Sequence, residues 1–232
     1  MSIRHTLAAA TIAAAATLAA LVAPLPASAL AIGQVDTFED GTTQGWVVSL
    51  LGNPNPAPPA NVPSGGPAGA GDHFLQLTAV GGGGPGSRLV VINGSQWAGN
   101  YVAAGVTGIA MDVRNLGATS LALRLLFEDP GFGPPSNAAV STTAITLPAG
   151  SDWTHVVFPI AASDLSATLG SVDAALAGAT AIRIFHGATA SFPPGAIVAQ
   201  LGVDNIRAVP EPGAAMMIAL GIGGLAFGRR RT

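Results

Sequence analysis

The sequence predicts an all-β domain, an antiparallel β-sandwich with one short helix, set between two ends that are not globular. Three observations lead there. About ten short apolar runs recur between turn signals, as strands bounded by turn-forming residues do. The turns draw on 31 Gly and 18 Pro, residues that punctuate strands and break helices. The chain has no Cys, so its core is held by packing and not by disulfide staples. Many short strands and almost no helix, in roughly 180 residues between the ends, suit two packed antiparallel sheets.

Residues 1–29 have the parts of a secretory signal. Arg4 supplies a positive start, Leu7 to Val22 is an apolar run, and Pro24 and Pro26 end it. Ala27-Ser28-Ala29 places small residues at the cleavage positions, which predicts cleavage after Ala29 and export of the remainder.

The sandwich domain is assigned to residues 30–208. The expected strands are Gln34–Phe38, Gly45–Leu50, His73–Val80, Arg88–Asn93, Thr107–Asn115, Ser120–Glu128, Val140–Leu147, Trp153–Ile160, Ala181–His186 and Ile197–Ala208. The run from Leu121 to Phe127 carries Arg124 at its centre, the pattern of a half-covered central strand. Ser163 to Ala177 reads as the helix, with Ser163 as N-cap and Asp164 favouring its positive end. Gly52 to Gly71, with its many Pro and Gly, reads as a long surface loop. Gly81 to Gly86 formally satisfies G-x-G-x-x-G but leads into another strand, so it reads as a hairpin loop with no helix N-terminus to hold a phosphate. Asn93-Gly94-Ser95 reads as a turn signal.

Between residues 30 and 208 lie five Arg (88, 114, 124, 183, 207), eleven acids and no Lys, a net of 5 − 11 = −6. Nucleic-acid affinity rests on Lys and Arg neutralising phosphates, so a nucleic-acid partner is excluded. No nucleophile elbow and no helical His pair with zinc spacing is present. Asp152 and His155 lack an accompanying nucleophile, and Glu128 with Asp129 sits at a strand end like a solvated rim. The expected protein is therefore not an enzyme, with a secreted glycan hydrolase as the least favoured reading.

At the other end, residues 209–232, Val209-Pro210-Glu211-Pro212 leads into an apolar segment, Gly213 to Gly228, and then Arg229-Arg230-Arg231. The sixteen residues 213–228, as a helix, would span about 24 Å, short of a full hydrocarbon core but tolerable with thinning and Arg snorkelling. Arginines after the segment stay cytoplasmic and orient the preceding domain outward. Pro210 and Pro212 keep Glu211 in extended chain beside the membrane. This order resembles the PEP-CTERM sorting signal. The resemblance implies an exosortase, a membrane-embedded cysteine transpeptidase-like enzyme, as partner. It further implies transient anchoring in the inner membrane, removal of the tail, and delivery to the surface or exopolysaccharide matrix of a Gram-negative bacterium.

A second resemblance spans the middle. Phe38-Glu39-Asp40-Gly41-Thr42, followed by Gly45-Trp46, is similar to the opening of many galactose-binding-like, jelly-roll carbohydrate-binding modules. Asp152-Trp153-Thr154 and Val203-Asp204-Asn205-Ile206 match further strands of that family. The resemblance implies a jelly roll and a structural calcium held by Glu39 and Asp204, with Asp40 as a helper. It places Trp46 and Trp153 in or near the core. Glycan recognition needs exposed aromatic platforms, and Trp97 and Tyr101, in a Gly-bordered loop with Gln96 and Asn100, are the candidate ligand contacts, with local packing as their alternative reading. The leading expectation is a non-catalytic surface or matrix protein; the alternative is a carbohydrate-binding module-like protein that takes exopolysaccharide.

Overall fold

The computed structural model describes residues 30–49, 55–131 and 133–210; the signal segment and the chain from Glu211 onward lie outside them. Two six-stranded antiparallel sheets pack face to face, a jelly-roll-like sandwich. In the first sheet β2 (Ala60–Val62), β3 (Phe74–Val80), β12 (Val198–Val209), β5 (Gly108–Asn115) and β9 (Thr154–Pro159) follow in that order. The short β1 (Val35–Asp36) also pairs with β12. The second sheet runs β10 (Leu165–Leu169), β7 (Asn137–Ser141), β6 (Leu121–Asp129), β11 (Ala181–His186), β4 (Val90–Asn93), with β8 (Ile145–Leu147) on β6.

Alternation writes the core. Along β6, Leu121, Leu123, Leu125 and Phe127 enter the main cluster, and Leu77, Ile109, Ile182, Leu201 and Val203 meet them there. Each strand turns successive side chains to opposite faces, so the apolar alternates converge between the sheets.

Four expectations are corrected. The segment Ser163 to Ala177 is not one helix. It begins as a 3-10 turn, Ala162–Asp164, becomes β10, and only Val172–Ala177 is helical (α1), capped by Ser171. The break lies at Gly170, whose φ of +58° no helix accepts and whose absent Cβ leaves room for Asn137 and the Ser136 carbonyl. Pairing of β10 with the edge of β7 then satisfies the backbone that a longer helix would have used. The Gly81–Gly86 loop is not a hairpin, because β3 and β4 belong to different sheets and the loop crosses between them. The Pro/Gly segment is not wholly loop, since β2 forms an edge strand on β3. Finally, the run expected as Gly45–Leu50 makes, among its described residues 45–49, a single bridge, Val47 to Ile92, and no strand.

At Asn93 the turn reading holds: its Oδ1 accepts from the Ser95 N–H at 2.9 Å, while its Nδ2 donates to the Gln44 carbonyl. Arg124 does lie on a central strand, but it is covered more fully than half.

Candidate functional site

Outward-facing residues of the second sheet form a smaller apolar layer. Leu126, Ala138, Val140 and Phe185 are buried beneath the segment after β11, which lays Ala190 and Phe192 over them. Phe192 meets Phe185 edge-on, with centroids 5.6 Å apart. Beside this roof a groove of about 370 Å³ opens along the β4 edge. Arg88, Arg183, Val90, Asn55, Phe192 and Pro193 are among its walls.

Both arginines are held through Nε. Arg183 donates to Glu128 Oε2 at 2.6 Å, and its guanidinium carbon stands 5.1 Å from the Phe192 ring centroid. Arg88 donates to the Pro194 carbonyl at 2.6 Å and is exposed. Glu128 is itself buried, so the groove presents the guanidinium side of that pair. Glu128, expected with Asp129 as a solvated rim, is instead drawn inward because its carboxylate is held by the Arg183 guanidinium. Asp152 and His155 do not act together. Asp152 meets Arg114 at 3.4 Å, and His155 Nδ1 meets Asp112 Oδ1 at 2.9 Å.

Trp97 and Tyr101, expected as exposed ligand contacts, are both 0% exposed. Sequence proximity to polar Gln96 and Asn100 was misleading because buried polar partners exist for both rings. Trp97 Nε1 donates to Asp36 Oδ2 at 2.6 Å, Trp46 Nε1 donates to the same oxygen at 2.8 Å, and the Tyr101 hydroxyl donates to the Trp97 carbonyl at 2.7 Å. An indole or phenol with its polar handle satisfied can be buried whole. Burial drives the Tyr101 hydroxyl pKa far up. Trp153 is half-buried on the outer face of the first sheet, edge-on to Phe74 and bonded to the Gly65 carbonyl. Phe192 and the two groove arginines were not singled out in the sequence; no local pattern joins residues 88, 183 and 192.

Asp204 is 1% exposed and lies where β3 and β1 meet end to end along β12. The pairing of β12 with β5 slips between Asp204 and Arg207, and Asn205 takes a φ of +51° there. Burial above all raises the Asp204 pKa, a bond from the Asn205 N–H opposes it, and the charges of Asp72, Asp112 and Glu39 add to it. The result is about 7. Its two oxygens accept from the Asn205 N–H at 2.7 Å and from Asn205 Nδ2 at 3.2 Å. Among the described residues, no three acidic or His side chains are grouped to hold an ion on their own, so backbone carbonyls would have to complete its shell. Asp40 faces elsewhere. Its carboxylate accepts from the Thr42 N–H and hydroxyl in an exposed turn, and these bonds hold its pKa low.

The last strand runs directly into the tail. Val209 still belongs to the sheet, and its carbonyl accepts from the Thr107 N–H at 3.0 Å. Pro210, with no N–H to give, ends the ladder. Residues 208–231 match the family described as PEP-CTERM protein-sorting motif. The chain carries a PEP-CTERM sorting motif. That motif marks an exported protein sorted by way of the membrane. Of the PEP-CTERM residues, Val209 and Pro210 lie within the described structure; Glu211, Pro212 and Arg229 to Arg231 lie outside it.

No curated protein matches the chain. Among solved structures, a segment of an exo-β-agarase is similar at 14% identity and a TM-score of 0.52, covering 78% of this chain and 25% of that one. A family 11 carbohydrate-binding module from Clostridium thermocellum, in complex with a β-1,3-1,4-mixed-linked tetrasaccharide, has 15% identity and a TM-score of 0.49. It covers 78% of this chain and 97% of that one. The tandem CBM22 domains from Paenibacillus barcinonensis give 17% identity and a TM-score of 0.46 over 82% of this chain and 50% of that one. These likenesses concern the fold alone.

Proposed function

We propose that this PEP-CTERM protein is a non-catalytic component of the cell surface or exopolysaccharide matrix of a Gram-negative bacterium, cut from its membrane tail by an exosortase. The observation that carries this is the sorting motif, whose matched residues begin at Ala208 within β12 and whose Pro210 follows the last sheet residue, Val209, directly. An enzyme in the membrane would read Pro-Glu-Pro beside a domain that is already folded. In the native host, replacing Pro210-Glu211-Pro212 by three alanines is expected to leave the tail attached and the protein in the inner membrane. Unchanged tail removal and final location, by immunoblot of membrane and extracellular fractions, would refute the sorting reading.

Glu39 and Asp204, with backbone carbonyls, are proposed to hold a structural Ca²⁺ that pins the start of the domain to its last strand. Such an ion would relieve the repulsion that now presses on Asp204. Millimolar Ca²⁺ is expected to raise the melting temperature and chelator to lower it, with Asp204→Ala abolishing the difference. No heat of binding and no shift in melting temperature would dispose of the ion.

A second reading, a carbohydrate-binding protein, is favoured by the groove beside Phe192. The partner would then be extracellular polysaccharide lying across the second sheet. Retention on the host's own polysaccharide is expected to weaken in Phe192→Ala, and retention by neither form would return the domain to a purely structural part.

A further inference from the structure

The domain holds eleven acids and five arginines, so a surface groove drawn at random would be acidic. This groove is the reverse. Arg88 and Arg183 line it, and among the described residues no Asp or Glu does. The domain thus concentrates two of its few cations where it also offers a concavity.

We infer that the groove recognises an anionic saccharide, one carrying carboxylate or sulfate groups. The inference rests on the carbohydrate-binding reading above and adds the ligand's charge to it. Guanidinium groups match the paired oxygens of carboxylates and sulfates in a way that neutral hydroxyls do not. Each arginine spends Nε on the protein, Arg183 on Glu128 and Arg88 on the Pro194 carbonyl. No protein hydrogen bond is made by their terminal amino nitrogens among the described residues. Anchoring through Nε, with Arg183 also set over the Phe192 ring, fixes the fork before a ligand arrives and lowers the ordering cost of binding. Asn55 and the Phe192 edge remain for sugar hydroxyls and ring carbons. The negative remainder of the surface would repel polyanions elsewhere and so confine them to this face.

The test is isothermal titration of the full-length chain in detergent with three probes: short oligogalacturonates, sulfated carrageenan oligosaccharides and neutral mixed-linked glucan oligosaccharides. Binding of at least one charged probe and not the glucan is expected, weakening about tenfold or more in Arg88→Gln, as loss of a charge-assisted contact implies. It should also weaken with added NaCl. Which charged probe binds separates carboxylate from sulfate. Arg88 is exposed and pairs with no acid among the described residues, so this variant should fold; equal melting temperatures would verify it. Arg183→Lys, which keeps charge but loses the fork, should bind less tightly than wild type. Preference for the neutral glucan, or charged-probe affinity indifferent to Arg88→Gln, would overturn the anionic assignment while leaving carbohydrate binding intact. Binding of none of the three would remove both.

Discussion

Asp36→Ala is expected to destabilise the domain by about 3–5 kcal/mol, because it strands two buried indole N–H groups and opens a void between them. Trp46 and Trp97, whose rings lie 6.3 Å apart, share a single carboxylate oxygen as their polar partner. Gln96 Nε2 approaches both oxygens, at 3.3 and 3.2 Å. Of a total stability of about 5–15 kcal/mol this is a large share, and the melting temperature should fall by roughly 6–20 °C. Asp36→Asn separates charge from shape. One amide oxygen can still accept from both indoles, but its NH₂ faces the Gln96 donor, so a smaller loss of about 1–2 kcal/mol is expected. The pH dependence has a definite sign. Burial, the largest influence, raises the Asp36 pKa above 3.8, and the bonds from Trp97, Trp46 and Gln96 only partly offset it. The folded state therefore keeps a proton that the unfolded chain releases. That stabilisation is complete below pH 3.8 and is lost as pH rises through the folded pKa. Asp36→Asn should remove this slope. Denaturant titrations of the three proteins across acidic pH would show it; an Asp36→Ala protein as stable as wild type would mean that the indoles find other partners.

Arg124→Ala is expected to cost about 2–4 kcal/mol, for a different reason. Arg124 is 6% exposed and meets no carboxylate in any described ion pair. Its guanidinium braces backbone instead. Nε donates to the Gly187 carbonyl at 2.9 Å, and one terminal nitrogen donates to the carbonyls of Ser141 and Thr142 at 2.6 and 2.8 Å. The other reaches the Ala188 carbonyl at 3.4 Å. A single side chain on β6 thus ties down the ends of β7 and β11, and burial draws its pKa below the usual value for arginine. Arg124→Lys should recover less than half of the loss, since a point ammonium cannot reach both segments in a plane. Should Arg124→Met prove as stable as wild type, the carbonyls are served by water and the brace is dispensable. Because the segment after β11 carries Phe192, loss of the brace should also loosen the groove.

Much of the sandwich is written in local pattern. The apolar alternation of β3, β5, β6, β9 and β11 places each strand within a few residues, because one buried face imposes a period of two on any sequence that forms it. The helix was misplaced for a nonlocal reason. Ser163 to Leu169 has acceptable helical composition, but the open edge of β7 competes for its backbone, and Gly170 forces the turn. The error at Trp97 and Tyr101 has the same character. Whether a loop aromatic stands in water or in the core depends on Asp36, about sixty residues away along the chain.

The sequence alone determined that this protein carries a membrane-linked sorting motif and what class of fold it has. Pro-Glu-Pro, the apolar segment and the arginine cluster are contiguous, and their meaning depends on order and hydropathy, which folding does not alter. The sandwich follows from periodicity for a similar reason. Only the tertiary structure decided which residues face a ligand. It buried the two expected aromatics, Trp97 on the Asp36 carboxylate and Tyr101 on the Trp97 carbonyl, and set Asp204 at a junction of three strands. It also brought Arg88 beside Arg183 and Phe192, and that convergence rests on pairing between β4 and β11, strands nearly a hundred residues apart. Long-range register of this kind has no signature in any local stretch of chain.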